Sequence, residues 1–163
     1  SEAEGLAHTW GVFDGETLAA YLLMVRPEGS AISQLDYFAV VPAYRAHGIG
    51  AQLLAQLPAH EGDAEAILIE AEMPEKAEDA AMAVRRLGFY ARNGLRTAGY
   101  DTEMFGVHYK TLYLANRLVE DGPLMEEHQF VYRQSFSPQK YRKYIRIPRD
   151  PDAEPGEQIP WDQ

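Results

Sequence analysis

The chain has no cysteine among its 163 residues. Disulfides, cysteine-ligated zinc and a cysteine acyl-enzyme are therefore excluded. No apolar run is long enough to span a membrane, and the opening SEAEGLAHTW lacks the charged and apolar regions of a secretory signal. Positive charge is scarce too: 15 Lys and Arg stand against 25 Asp and Glu, a formal net charge of -10. A general nucleic-acid binder needs a basic face to displace counterions, so that class is disfavoured. A cationic small molecule or protein suits the charge better. These absences predict a cytoplasmic protein with no membrane, nucleic-acid or metal partner.

Apolar residues make up 46% of the chain, enough for one domain with a sizeable core. HTWGVFD and TLAAYLLMVR are apolar segments joined at Gly15-Glu16 and predict a β-hairpin. ISQLDYFAVV predicts a third strand, halted by Pro42. In GIGAQLLAQL, Ile49, Leu53, Leu54 and Leu57 fall at helical spacing, with a stop expected at Pro58. AILIEAE predicts a strand ending at Met73-Pro74. EDAAMAVRRLGFYARNG predicts a second helix, with acids first, arginines late and Asn93-Gly94 as its stop. LRTAGYDTEMF and HYKTLYLANR predict strands, and EEHQFVYRQSF a short amphipathic helix. The order β-β-β-α-β-α-β-β implies a mixed α/β (α+β) sheet with helices packed on it. The basic stretch QKYRKYIRIPR is read as a surface strand or helix capping the sheet. The acidic, proline-rich end, residues 148–163, is expected to be loosely ordered unless Trp161 docks.

The most specific local pattern is YRAHGIGA, residues 44–51, between the third strand and the first helix. A dinucleotide fingerprint would need glycine where Leu53 stands, and a P-loop would need Gly-Lys-Ser/Thr. What remains is Arg45-x-x-Gly48-x-Gly50. Two missing side chains expose backbone N–H groups at a helix N-terminus, a geometry that suits phosphate or pyrophosphate. Arg45 can add a charge-assisted contact. An unliganded tight turn also uses glycines, so the pair alone leaves both options open.

Two further stretches extend the pattern. LDYFAVVPAYRAHGIGAQLL resembles the acyl-CoA motif of the GNAT family of N-acetyltransferases, whose core is Arg/Gln-x-x-Gly-x-Gly/Ala. RRLGFYARNGL resembles the family's second motif, a helix ending Phe-Tyr-x-x-x-Gly before a strand. The resemblance runs from Trp10 to about Leu114. It implies a single GNAT-like acetyltransferase domain over residues 1–147, followed by the tail. It implies two central strands that splay apart around the pantetheine arm of acetyl-CoA. Phe38, Ala39 and Val40 would then contact that arm through their backbone, and the amides of Arg45, Ala46, His47, Gly48, Ile49, Gly50 and Ala51 would hold the pyrophosphate. The family often has an asparagine near Ala83, so one familiar cofactor contact is absent. Arg86, or its neighbour Arg85, is a candidate phosphate contact. Family members also begin with a strand and two helices that line the acceptor side. Here only SEAEGLA precedes the hairpin, so the expected N-terminal elements are missing or shortened, and the C-terminal segment or a partner subunit would supply that wall. A homodimer is thus an open option.

Acyl transfer to an amine sets three requirements. The amine must be neutral to attack, and a lysine-type amine has a pKa of about 10.4. It therefore needs a proton acceptor or a pocket that lowers this value. The departing thiolate needs a donor, and the tetrahedral oxygen needs an N–H. Tyr90 matches the family's tyrosine acid. Glu70 and Glu72 share one strand face by period two, and related enzymes place a glutamate at the position of Glu70. Either could hold a cationic acceptor or take its proton. Asp36 is a third candidate, on the strand expected to carry the acyl group. The leading function is N-acetyl transfer from acetyl-CoA directly to a primary amine. The alternative is a non-catalytic acyl-CoA-binding or interaction module.

Overall fold

In the computed structural model, which describes residues 7–162, the two-residue periodicity of the strands sorts side chains onto two faces of one sheet. Strands β1 (Ala7–Asp14) and β2 (Thr17–Val25) form the hairpin expected at Gly15-Glu16. Strand β3 (Ile32–Val40) pairs antiparallel with β2, and β4 (Ala66–Glu72) runs parallel to β3. Strands β5 (Arg96–Met104) and β6 (Val107–Leu114) follow, with a short β7 (Ile145–Arg146). The sheet order is β1-β2-β3-β4-β6-β5-β7.

On one face, Leu22, Met24, Ile67 and Ile69 pack with Leu53, Leu54 and Leu57 of helix α1 (Ile49–His60). Helix α2 (Ala80–Arg92) adds Leu87 and Phe89 to the same core. The Asp79 side chain caps α2 by accepting from the Met82 N–H at 3.0 Å, and Gly94 ends it at a φ of 84°. On the other face, Ile32, Leu68, Tyr100 and Tyr113 pack with Leu124 and Val131 of helix α3 (Asp121–Ser135). Helix α4 (Pro138–Tyr144) adds Tyr141 and Tyr144 there.

Three expectations change. Pro58 lies within α1, which continues to His60; the three buried leucines hold the turn although Pro58 cannot donate to the helix. The helix around EEHQFVYRQSF is longer than its sequence pattern suggested and buries Leu124, His128 and Val131. The basic stretch forms α4 and β7, so it caps the sheet as expected. The acidic tail is irregular in backbone, yet it lies against β5: Gly156 N–H donates to the Glu103 carboxylate, and Ile159 N–H to the Phe105 carbonyl at 3.4 Å. Arg146 and His108 also reach the buried Glu103, at 2.9 and 3.0 Å.

Candidate active site at a split between two strands

Strands β3 and β4 pair from Ile32↔Ala66 to Leu35↔Ile69 and no farther. Beyond that point β3 stays with β2, through Val40↔Ala20, while β4 stays with β6, through Glu72↔Tyr109. The two central strands therefore part. A bulge marks the place: Leu35 pairs with Met24 and Tyr37 with Leu23, leaving Asp36 as the extra residue. The extra residue shifts the side-chain phase by one. Leu35, Phe38 and Val40 consequently all pack on the α1 and α2 face.

The turn after β3 enters α1 with two left-handed residues, Ala46 (φ 67°) and Gly48 (φ 74°). Gly48 is the N-cap and no side chain caps the helix. The first helical bond is Gln52 N–H to the Gly48 carbonyl at 3.1 Å, so the N–H groups of Ile49, Gly50 and Ala51 have no partner within the helix. The two glycines serve different ends. A Cβ on Gly48 would meet nothing within 4 Å, so its requirement is conformational. A Cβ on Gly50 would stand 3.0 Å from the Phe89 ring and 3.2 Å from the Phe38 ring, so Gly50 lets α1 close onto the split. Gly48→Ala should lower stability by about 1–2 kcal/mol, the cost of a left-handed alanine, as read by urea denaturation. An unchanged midpoint would contradict that account.

A cavity of about 470 Å³ occupies the split, and it gathers Phe38, Glu70, Glu72, Arg86 and Tyr90. Arg85 lines it as well. The exposed turn residues Arg45, Ala46 and His47 lie outside this lining, on the way to the α1 N-terminus. Burial raises the Tyr90 phenol above its ordinary value, with the Arg86 charge opposing. Tyr90 thus keeps its proton across the neutral range.

Glu70 faces α3, as its period with Ala66 and Leu68 requires. Its Oε1 accepts from Gln34 Nε2 at 2.8 Å and from the Tyr132 hydroxyl at 2.5 Å. Its Oε2 lies 2.9 Å from Nε2 of His128, whose Nδ1 lies 2.9 Å from the Tyr100 hydroxyl. Every atom is satisfied when Tyr100 donates to Nδ1 and the Nε2–H donates to Glu70. Burial, reinforced by the Glu70 charge, raises the phenols of Tyr132 and Tyr100, which suits them as donors. His128 is fully buried. His128→Ala would leave Glu70 and Tyr100 short of a partner and open a cavity. It should cost about 2–4 kcal/mol by denaturant unfolding, and a change under about 0.5 kcal/mol would show the network to be incidental.

Asp36 sits between this network and the split. Desolvation raises its carboxyl pKa above the ordinary value, and the Glu70 charge adds to the rise. Gln34, His128 and Tyr132 did not emerge from the sequence as site residues. The available signal was the four-residue spacing of His128 and Tyr132, which places them on one helix face.

The model of the family described as the acetyltransferase (GNAT) domain matches residues 6–96, more than half of the chain. The chain belongs to the GNAT acetyltransferase family. No curated protein sequence matches it. Among solved structures, an acetyltransferase of the GNAT family from Bacteroides thetaiotaomicron superposes with a TM-score of 0.62 at 23% identity, over 80% of this chain and 73% of that one. A Bacillus subtilis acetyltransferase, described as in complex with CoA, superposes with a TM-score of 0.55 at 18% identity, over 71% and 81% of the two chains. The ribosomal-protein-S18-alanine N-acetyltransferase of Escherichia coli superposes at 0.52 and 16%, over 70% and 72%. These likenesses fix the fold as that of GNAT acyl-CoA N-acyltransferases, with α3 and α4 on the face opposite α1 and α2 in this GNAT chain. Among the described residues no group of three or more His, Asp or Glu side chains could hold a metal ion. No helix among them is long and apolar enough to cross a membrane.

Proposed function

We propose that the protein is an acetyl-CoA-dependent N-acetyltransferase that acetylates a cationic primary amine directly. One observation carries the proposal. The split between β3 and β4 brings Tyr90 and Arg86 of α2 into one cavity with Asp36 and Glu70, and Gly50 at the start of α1 stands against its Phe38 and Phe89 walls. Acetyl-CoA would supply the thioester. The unpaired edge of β3 at Phe38, Ala39 and Val40 would hold its arm, and the amides from Arg45 to Ala51 its pyrophosphate. Arg86 would reach a phosphate. Tyr90 would give a hydrogen bond, or its proton, to the departing sulfur. In the net exchange the ammonium nitrogen gains the acetyl group and loses two protons: one ends on the departing thiol, and the other leaves through the acceptor carboxylate to solvent.

Among the carboxylates, the geometry favours Asp36 as the proton acceptor. Three donors already occupy the oxygens of Glu70, while its charge raises the basicity of Asp36 beside it and would draw in an ammonium. Glu72 lies one pleat farther along the same face, nearer the strand end, and would help steer the cation. Calorimetric titration with acetyl-CoA tests the cofactor half. Wild type should bind at one site, and Arg86→Ala, at an exposed helix position, should weaken binding by about 3–10-fold without lowering thermal stability. Gly50→Leu, whose side chain would force the Phe38 and Phe89 rings into the split, should abolish binding. Undiminished affinity in Gly50→Leu would move the cofactor elsewhere.

A further inference from the structure

A second and larger cavity, about 860 Å³, meets the first at Leu35, Asp36, Tyr37, Glu70 and Tyr109. Its volume falls in the range that encloses most of a small organic ligand. Its floor comes from strands β1 to β4, and its walls from the end of the β5–β6 hairpin, helix α3 with Phe136, and the C-terminal tail at Ile159, Pro160 and Trp161. Two features of the lining stand out. No Lys, Arg or His is among the described residues that form it, while Asp36 and Glu70 are its only acids. Both acids lie at the junction with the split. Away from that junction the wall is apolar and aromatic, built on Met104, Phe105, Val107, Phe136 and Ile159. Phe105 and Phe136 pack ring to ring at 5.3 Å, and Tyr132 stacks on Phe136 at 5.9 Å.

We infer that this cavity binds a monoamine with an aromatic or alkyl body, its ammonium between Asp36 and Glu70 and its body against α3 and the tail. The inference rests on the N-acetyltransferase reading for what becomes of the amine, though not for its binding. Charge at one end accounts for the ammonium. Aromatic walls at the other end give a flat or extended apolar body its contact area. A polyamine or an aminoglycoside fits poorly, because a second cation would lie among Phe105, Phe136 and Ile159 with no acid to meet it. Glu103 gathers His108, Arg146 and the Gly156 N–H, which pins the chain just before Ile159–Trp161 reach the cavity.

The test compares a phenylalkylamine, an α,ω-diaminoalkane of similar length and an aminoglycoside. Calorimetry reads binding, and amine-dependent thiol release from acetyl-CoA reads turnover. The phenylalkylamine should show kcat/KM at least about tenfold above the diamine, a difference of about 1.4 kcal/mol. Asp36→Asn should weaken its binding. Adding an acid at the apolar end should recruit the diamine, through Phe136→Glu or, where that variant folds poorly, through the exposed Ser135→Asp. A preference for the diamine or the aminoglycoside in wild type would overturn the inference and leave N-acetyl transfer standing. Binding of the phenylalkylamine at one Asp36-dependent site, with no thiol released by any amine, would sustain the cavity assignment and remove the transferase reading. Neither binding nor turnover of the phenylalkylamine would overturn the inference outright.

Discussion

Tyr90→Phe is expected to lower kcat by roughly 100-fold or more while leaving acetyl-CoA affinity within about twofold of wild type. The change removes one hydroxyl from a half-buried ring and leaves its packing against Phe89 in place. The ring lines the split beside Phe38, where the sulfur of the thioester would sit. Burial keeps the phenol protonated, so the hydroxyl is a donor at neutral pH. A group needed only as the sulfur departs contributes little to ground-state binding, which is why kcat should fall alone. Wild-type turnover in Tyr90→Phe would remove the residue from the acid role. An equal loss in affinity would recast it as a binding residue.

Asp36→Asn should lower kcat/KM by roughly 100-fold and also raise the melting temperature at pH 7. Both effects have one cause. Asp36 is exposed as a residue, but its carboxyl at the bulge stands where partial desolvation and the Glu70 charge disfavour the ionised form, so the effect on stability is small. Its folded pKa lies above the unfolded value, so the native state binds this proton more tightly than the unfolded chain does. The associated stability is fully present below the unfolded pKa, near 3.9, and is lost as pH rises through the folded pKa. At pH 7 the wild type therefore carries an unfavourable charge that asparagine removes. The melting-temperature gain should shrink toward pH 4 and vanish below it. In wild type the acid limb of the kcat/KM profile should follow the raised Asp36 value, and that limb should disappear in the variant. A variant that is less stable at pH 7, or that keeps the acid limb, would exclude Asp36 as the proton acceptor.

Local features of this protein were legible in the sequence, and distant ones were not. The strand, turn and helix from Ile32 to His60 follow from a short apolar run, Pro42 and a helical repeat of leucines. Period two placed Glu70 and Glu72 on one face, and the motif placed Tyr90 at the end of α2. Nothing local announces the bulge, because a one-residue shift between β2 and β3 depends on how two strands pair. Asp36 was accordingly one acid among three, without the position that distinguishes it. The partners of Glu70 lie 58 residues away at His128 and 62 at Tyr132, and only the packing of α3 on the sheet joins them. Gly50 was read as a glycine suited to a phosphate, and the two rings beside it give it a steric reason that the sequence did not show. The tail's composition suggested disorder, and one buried acid, Glu103, offsets that tendency by offering partners to the backbone and to Arg146.

The central claim is that the split joins a thioester on one side to an amine on the other. Thiol release at saturating acetyl-CoA, followed with a chromogenic thiol reagent with and without a primary amine, tests it most directly. The chain contributes no thiol of its own, so the signal belongs to CoA alone. The account predicts release that requires the amine, matches the N-acetylated product mole for mole, and collapses in Tyr90→Phe and Asp36→Asn. Acetyl-CoA that binds but yields no amine-dependent thiol would contradict it, and would leave a non-catalytic acyl-CoA-binding module.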